Sequence, residues 1–549
     1  MGELGIVLFM LAAVIVSSVL VRIIPRAIPT PLVQIAIGAI IASTTGYKVQ
    51  LDPEIFFLLF LPPLLFLDGW RIPKEGLLRD KGTITELAFG LVFCTVVGMG
   101  LFIHWLIPAM PLPVAFALAA IVSPTDPVAV SAITARVPMP KRVMHIMEGE
   151  SLLNDASGLV CFRFAVAAAM TGVFSITSAA VTFVQLAVGG ALVGAALAWC
   201  AMGVMNFIAR RFGEESGSKV LVSLLIPFGA YELAEHLHCS GILAAVAAGI
   251  AMSYAEMSGR ALATTRVQRT AVWDTVQFSL NGIMFVLLGE QLPAIFAGAV
   301  DVVRESHHVN PWWLAVYVLA INLGLAALRF SWVWISFRIT AWLATRRGHP
   351  PTSKPTVRLL AAMSVGGVRG AITLAGVLTL PLALPDGTAF PARDLAIFLA
   401  AGVVILSLLA ASIALPRLLT GLTVPPDPHL DEEIERARTA AAEAAIVAIE
   451  ESAHEMAAQG PEDAHLLTDV AARLMEVYRR RIEGYTATDE AARVRASDLI
   501  EQKLRLAALR AEREAIFRLA RAHGISDASS RVLVRDIDLQ EERFRAAGH

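Results

Sequence analysis

Charge is what this sequence has least of. Only 17% of its 549 residues are Asp, Glu, Lys or Arg, and 56% are hydrophobic; an average soluble domain is about a quarter charged. The deficit is local. The first 426 residues hold 49 charged side chains and the last 123 hold 43. That contrast predicts a membrane-embedded part over 1–425 and a soluble α-helical part over 426–549. Cysteine is also scarce. Cys94, Cys161, Cys200 and Cys239 lie in or beside apolar stretches and form no CxxC pair, which argues against a disulfide framework or thiolate metal site and predicts small buried hydrophobes. No basic cluster is interleaved with aromatics, so nothing supports nucleic-acid binding. The tail carries no nucleotide or Ca²⁺ motif, and no cofactor and no soluble partner is implied. A basic n-region is missing as well. Met1-Gly2-Glu3 is acidic, and the apolar run from Leu4 to about Ile24 is long enough to span, so it reads as a retained first helix and not a signal peptide.

What is present is a series of apolar runs of membrane length. Thirteen are expected, over about 4–24, 31–45, 54–70, 84–107, 111–135, 142–172, 178–208, 219–237, 240–255, 270–291, 312–343, 356–382 and 393–421. The connections test that number. Those after odd-numbered spans hold 19 Lys/Arg, from Arg22 and Arg26 through Arg71, Lys74, Arg79 and Lys81 to Arg358; those after even-numbered spans hold 3, Lys48, Arg304 and Arg393. Positive charge resists translocation. The pattern therefore predicts an inner (plasma) membrane protein with its N-terminus outside and its tail in the cytoplasm, where membrane lipid is its surrounding partner.

Two spans should be broken. The fifth carries Ser123-Pro124-Thr125-Asp126-Pro127. Each proline removes an N–H and clashes with the preceding turn, and the freed carbonyls are tolerated only inside protein or beside water. Carbonyls and hydroxyls suit a dehydrated alkali cation, and Asp126 adds negative charge. The twelfth carries Ser364-Val365-Gly366-Gly367-Val368-Arg369-Gly370-Ala371, three glycines around an intramembrane arginine that needs a buried anion. The breaks lie seven spans apart. That offset predicts an inverted repeat of spans one to six onto eight to thirteen, with a transporter site at the repeat interface.

The sixth span reads Glu148-Gly149-Glu150-Ser151-Leu152-Leu153-Asn154-Asp155. At about 100° per residue, Glu150 stacks on Asn154, and Ser151 stacks on Asp155 beside them. A carboxylate in a partly dehydrated cavity is harder to ionise than in water. It can hold a proton or a small cation, but not both. If the cavity reopens to the other side only when occupied, cation exchanges for proton with no covalent step. Asp155, nearest mid-membrane, is the candidate exchanging group. Asn154 orients the cation site, and Glu150 is the expected partner of Arg369.

Three segments together resemble the monovalent cation:proton antiporter-1 family, the sodium/proton exchangers of bacterial type: Ser123 to Val130 (SPTDPVAV), Gly149 to Asp155 (GESLLND) and Gly366 to Ala371 (GGVRGA). They cover the membrane part in order. The resemblance implies an all-α polytopic protein of about 13 transmembrane helices with an inverted repeat and two broken helices. It also implies a homodimer and elevator-like alternating access that serves pH homeostasis. It assigns the cation and proton to Asp155, puts Asp126, Thr125, Ser151 and Asn154 at the ion, and pairs Glu150 with Arg369. The Asn154-Asp155 pair resembles the electroneutral branch, whose electrogenic relatives carry two aspartates there.

Weaker candidates remain. Asp68, after Pro62-Pro63, lines an inner approach or packs at a helix end. Glu232 and Glu235, late in the eighth span, point to a solvated outer vestibule or an interface. Arg163 and Arg329 need partners the sequence does not supply, and His236 and His238 are expected outside. In the tail, Ile434, Ile446, Val447 and Ile449, then Leu499, Leu504, Leu506 and Leu509, recur at helical spacing, with breaks at Gly460-Pro461 and around 484–489, so at least three helices are expected. Two other functions share parts of this pattern: sodium-coupled symport of an organic solute, and a membrane sensor acting through the tail.

Overall fold

The computed structural model describes residues 3–23, 28–45, 53–71, 82, 86–134, 139, 141–172, 176–213, 215–256, 263–305, 312–346, 356–420, 428–459, 464–484, 489–522 and 527–546. The loop cations Arg26, Lys48, Lys74, Arg79, Lys81, Arg136, Arg260, Arg347 and Lys354, and the Gly460-Pro461 break, lie outside them. The chain forms two compact units, Met1–Thr423 and Val424–His549. Among the described residues both are helical, apart from one isolated bridge between Ala383 and Ala389.

In the first unit the helices are α1 (Glu3–Ile23), α2 (Thr30–Thr45), α3 (Pro53–Arg71), α4 (Val92–Leu106), α5 (Leu112–Ile121), α6 (Pro127–Thr134), α7 (Lys141–Thr171), α8 (Ile176–Phe212), α9 (Ser216–His236), α10 (Gly241–Glu256), α11 (Ala263–Glu305), α12 (Trp312–Arg346), α13 (Val357–Val365), α14 (Ala371–Leu378) and α15 (Arg393–Leu419). A π-helical turn, Glu86–Leu91, leads into α4. Helices suit a medium without water because every backbone group finds its partner within the segment. Stretches within six of them, α7, α8, α9, α11, α12 and α15, are long and apolar enough to cross a membrane. Leu192, Trp199, Phe207, Leu323 and Trp312 stand exposed on them, as on a surface solvated by lipid. Cys200 is exposed too and the other three cysteines are half-buried or nearly so, which corrects the expectation that all four are buried.

The helices sort into two bundles. The first packs α2 on α11, α3 on α10, and α8 and α9 on α10, with α1 against α2 and α11. The second packs α4 on α5, α5 on α7, and α12, α13 and α14 on α15. They meet mainly where α11 touches α15 and where α3 and α11 touch α14. Small residues set the closest approaches, as lipid-embedded helices require. A Cβ at Gly38 would overlap the Val286 carbonyl, and one at Gly289 the Ile35 carbonyl, so α2 and α11 touch through two glycines. Gly69 and Gly249 do the same for α3 and α10 against the carbonyls of Val246 and Phe66.

The two interrupted segments lie in the second bundle. Helix stops at Ile121 and resumes at Pro127; it stops at Val365 and resumes at Ala371. The two breaks are joined where the Asp126 amide donates to the Val368 carbonyl at 2.7 Å.

The second unit comprises α16 (Pro428–Gln459), α17 (Ala464–Gly484), α18 (Asp489–Arg521) and α19 (Asp527–Ala546), each packed on the next in sequence where α16 meets α17, α17 meets α18 and α18 meets α19. Ala442, Ala471, Leu509 and Ile537 are buried, and Arg513 joins α18 to α19 through Asp538 at 2.8 Å and through Glu541. Val447 and Leu504, expected on the packed face, are exposed instead. Among the described residues each helix of this unit packs mainly on its neighbours in sequence, which leaves part of its apolar stripe uncovered.

Candidate functional site

The site grows out of the two breaks. Each of two prolines three apart removes a helical hydrogen bond and clashes with the preceding turn, and here the chain leaves helix after Ile121 and resumes at Pro127. Asp126 then acts as the N-cap of α6: its Oδ1 accepts from the Ala129 amide at 3.2 Å, with Pro127 at the first helical position. Gly370 precedes α14 and lies against the same carboxylate, since a Cβ there would overlap Asp126 Oδ2. Asp126 therefore faces the starts of two half-helices, where the helix dipoles favour an anion.

The helix ends facing the other way are served by Arg369. Its Nε donates to the Val122 carbonyl at 2.9 Å, at the end of α5, and its Nη1 donates to the Gly367 carbonyl just past α13. Its own amide donates to Ser407 Oγ at 3.2 Å. Glu150 is engaged elsewhere. Arg329, midway along α12, grips it with both arms of its guanidinium, Nη1 to Oε1 at 2.5 Å and Nη2 to Oε2 at 2.8 Å, while Nε donates to the Met363 carbonyl at 3.1 Å. Both residues are buried, Glu150 at 0% and Arg329 at 3% exposure. The Glu150–Arg369 pair expected from the sequence is thus replaced by Glu150–Arg329. The reason is geometric: an arginine inside a helix break meets freed carbonyls first, whereas an intact helix sends its arginine across to the neighbouring carboxylate. Gly367 makes room, because a Cβ there would strike Arg329.

The acidic stripe of α7 faces the first break. Ser151 Oγ donates to the Thr125 carbonyl at 2.6 Å, and Asn154 Nδ2 donates to Thr125 Oγ1 at 3.1 Å and to Glu150 Oε1 at 3.5 Å. Asn154 Oδ1 is buried with no hydrogen-bond partner. Gly158, one turn on, must lack a side chain because Pro124 and the Ala120 carbonyl occupy the space.

Between the bundles is a small cavity. The second bundle lines it with Pro124, Thr125, Asp126, Pro127, Ser151, Asp155, Gly370, Ile372 and Thr373; the first adds Leu64 and Asp68 from α3 and Gln277 and Asn281 from α11. Its volume is about 30 Å³, room for roughly two water molecules. Three carboxylates, of Asp68, Asp126 and Asp155, thus share one small space with hydroxyl, amide and carbonyl oxygens. Asp155 and Thr125 are almost wholly buried. Asn154 stands behind the lining, holding Thr125, and Glu150 is tied up by Arg329.

Gln277, Asn281 and Thr373 are lining residues that the sequence reading passed over. A signal existed: Gln277 and Asn281 are four apart in an apolar span, the same stacking that drew attention to Glu150 and Asn154. Arg71 holds Gln277 from outside the cavity, donating to its Oε1 at 2.8 Å while paired with Asp274. Arg163 also finds partners. It pairs with Glu235 at 3.0 Å and donates to the Tyr231 hydroxyl at 3.4 Å. Glu232, His236 and His238 are exposed, and His238 adopts φ 53° as α9 turns into α10.

Residues 8–421 match the sequence model of the family described as sodium/hydrogen exchanger, transmembrane. The chain is 41% identical over 539 residues to the Na(+)/H(+) exchanger YjcE of Escherichia coli K12, covering 97% of each protein. It is 42% identical over 451 residues to a sodium, potassium, lithium and rubidium/H(+) antiporter of Bacillus pumilus, covering 82% of this chain and 66% of that one. Among solved structures, the sodium proton antiporter MjNhaP1 from Methanocaldococcus jannaschii at pH 8 shares the fold, with a TM-score of 0.55 at 18% identity over 76% of this chain and 99% of that chain.

Proposed function

The chain belongs to the sodium/hydrogen exchanger family, and from that premise we propose that it exchanges Na⁺ for H⁺ across the membrane by letting the two ions compete for Asp155. The observation that carries the reading is the cavity: about 30 Å³, between two bundles, lined by three carboxylates and neutral oxygen donors. Oxygen ligands suit hard cations. The space suits a bare or singly hydrated alkali ion and is too small for an organic solute, which disfavours sodium-coupled symport. Carboxylates this close cannot all be ionised without a cation among them. A proton on Asp155 therefore takes the place of the metal ion, and one carboxylate couples the two flows. Asp126, at the helix starts, shapes the site. Thr125, Ser151 and Asn154 hold the break open in the geometry a cation needs.

The two-bundle arrangement favours alternating access by movement of the second bundle, which carries Asp126 and Asp155, against the first. The packing also supports thirteen spans in an inverted repeat. Counting α5 with α6 and α13 with α14 as one span each, a shift of seven spans carries the α2–α11 contact onto α10–α3, and with it Gly38 onto Gly249 and Gly289 onto Gly69. The distribution of loop cations favours an outside N-terminus and a cytoplasmic helical unit, and the Asn154-Asp155 pair favours electroneutral exchange. A homodimer is part of the same proposal. Cross-linking in native membranes tests it, and a chain that stays monomeric rejects it.

In everted vesicles, adding Na⁺ should dissipate an inside-acid gradient, and Asp155→Asn should abolish that response. Full exchange by Asp155→Asn overturns the assignment.

A further inference from the structure

The Arg163 contacts cross from one bundle to the other. Arg163 sits on α7, eight residues past Asp155 and about 12 Å further along the same helix. Its partners Glu235 and Tyr231 sit on α9, which packs with α3, α8, α10 and α11. Glu235 is itself fixed, because its Oε1 also accepts from the Gly241 amide at 3.2 Å at the start of α10. Asp68, Gln277 and Arg71 lie at the other end of the site, near the close of α3. The side chains of Arg163 and Glu235 are 42% and 36% exposed, so the pair stands at the protein surface and not in its core.

We propose that Arg163, Glu235 and Tyr231 form a clasp between the moving and the static bundle, closing the face of the transporter opposite the Asp68 end of the site, and that this clasp must open each time Asp155 is presented to that face. Arg163 is then a positioning residue. It does not touch the ion, and it weights the two facing states. The geometry suits that task. The clasp is attached to the helix that carries Asp155, so any displacement of α7 large enough to change the accessible face separates Arg163 from a partner anchored to α10. Its half-exposed setting keeps it weak enough to break in every cycle, since such ion pairs contribute at most about a factor of 5. Burying the same pair would lock one state, because breaking it would leave charges stranded in low dielectric.

The inference rests on the antiport reading, and the test separates the two. Na⁺-driven proton movement is measured in proteoliposomes with Na⁺ titrated on one face and then on the other, which gives a KM for each face. The protein is compared with Arg163→Gln and Arg163→Lys. Arg163→Gln leaves the Glu235 contact to Gly241 in place. Weakening the clasp should raise the population presenting Asp155 to the clasp face. The Na⁺ KM there should fall, and the KM at the other face should rise, so that their ratio moves by about 2–5-fold. Arg163→Lys, which keeps the charge facing Glu235, should restore the ratio. A ratio unchanged in Arg163→Gln overturns the clasp, even if turnover falls, because a structural role lowers both faces together. If Arg163→Gln does not reach the membrane, Tyr231→Phe, which removes one Arg163 partner, is read in the same way: a shift in the same direction supports the clasp and an unchanged ratio overturns it. Absence of exchange by the unaltered protein overturns the antiport reading instead.

Discussion

Removing Arg329 should damage this protein through Glu150 and not through the cation. Glu150 is fully buried, and both of its oxygens accept from Arg329, at 2.5 and 2.8 Å. Arg329→Gln leaves a carboxylate in low dielectric without its counter-charge, a loss of about 3–5 kcal/mol. Glu150→Gln strands the guanidinium and should cost a similar amount. The double variant strands neither, so its cost should be no greater than that of one single change, giving a coupling energy of about 3 kcal/mol or more. Pairing Glu150→Gln with Arg369→Gln should give a coupling below about 1 kcal/mol, because the Arg369 donors go to Val122 and Gly367. For a unit of about 420 residues, an unfolding entropy of about 2.1 cal/mol/K per residue makes each kcal/mol worth about 1 °C. The single variants should therefore melt about 3–6 °C lower by tryptophan fluorescence in detergent micelles. A larger coupling of Glu150 to Arg369 than to Arg329 would refute the reasoning.

Asp126 combines a charge and a helix cap, and substitution can separate them. Asn caps as well as Asp, so Asp126→Asn should keep the melting temperature within about 1 °C while exchange in vesicles falls strongly; Asp126→Ala should lose exchange and about 1 kcal/mol of stability as well. Gly370→Ala should abolish exchange in the vesicle assay, since its methyl group would occupy the space of the Asp126 carboxylate. Gly38→Ala, outside the cavity lining, should lower the melting temperature by separating α2 from α11, at about 1–3 kcal/mol, and leave the Na⁺ dependence of the surviving protein unchanged. Electroneutral exchange predicts equal initial rates with the membrane potential clamped at zero and at an inside-negative value. A rate that changes with potential rejects one-for-one stoichiometry.

Much of this molecule is legible in one dimension. Apolar runs must become helices in a solvent that offers no hydrogen bonds, so the spans can be read directly. Two prolines three apart, and three glycines around an arginine, mark the interruptions at 122–126 and 366–370, because those residue types weaken a helix, proline by removing a hydrogen bond and glycine by its backbone freedom. The stripe Glu150, Ser151, Asn154, Asp155 follows from 100° per residue. These are local properties of covalent geometry and solvent. Which charge answers which is not local. The sequence points to Arg369 as the partner of Glu150 and leaves Arg329 without one; only the packing of α12 against α13, with Gly367 clearing the way, gives Glu150 to Arg329. Asp68, Gln277 and Asn281 reach the cavity because two bundles leave about 30 Å³ between them, a space that no single segment encodes. The sequence by itself thus determined the ionisable residues that enter the membrane and the places where helix must stop. The tertiary structure decided their partners, because a buried charge is compensated by whatever the fold brings within about 3 Å.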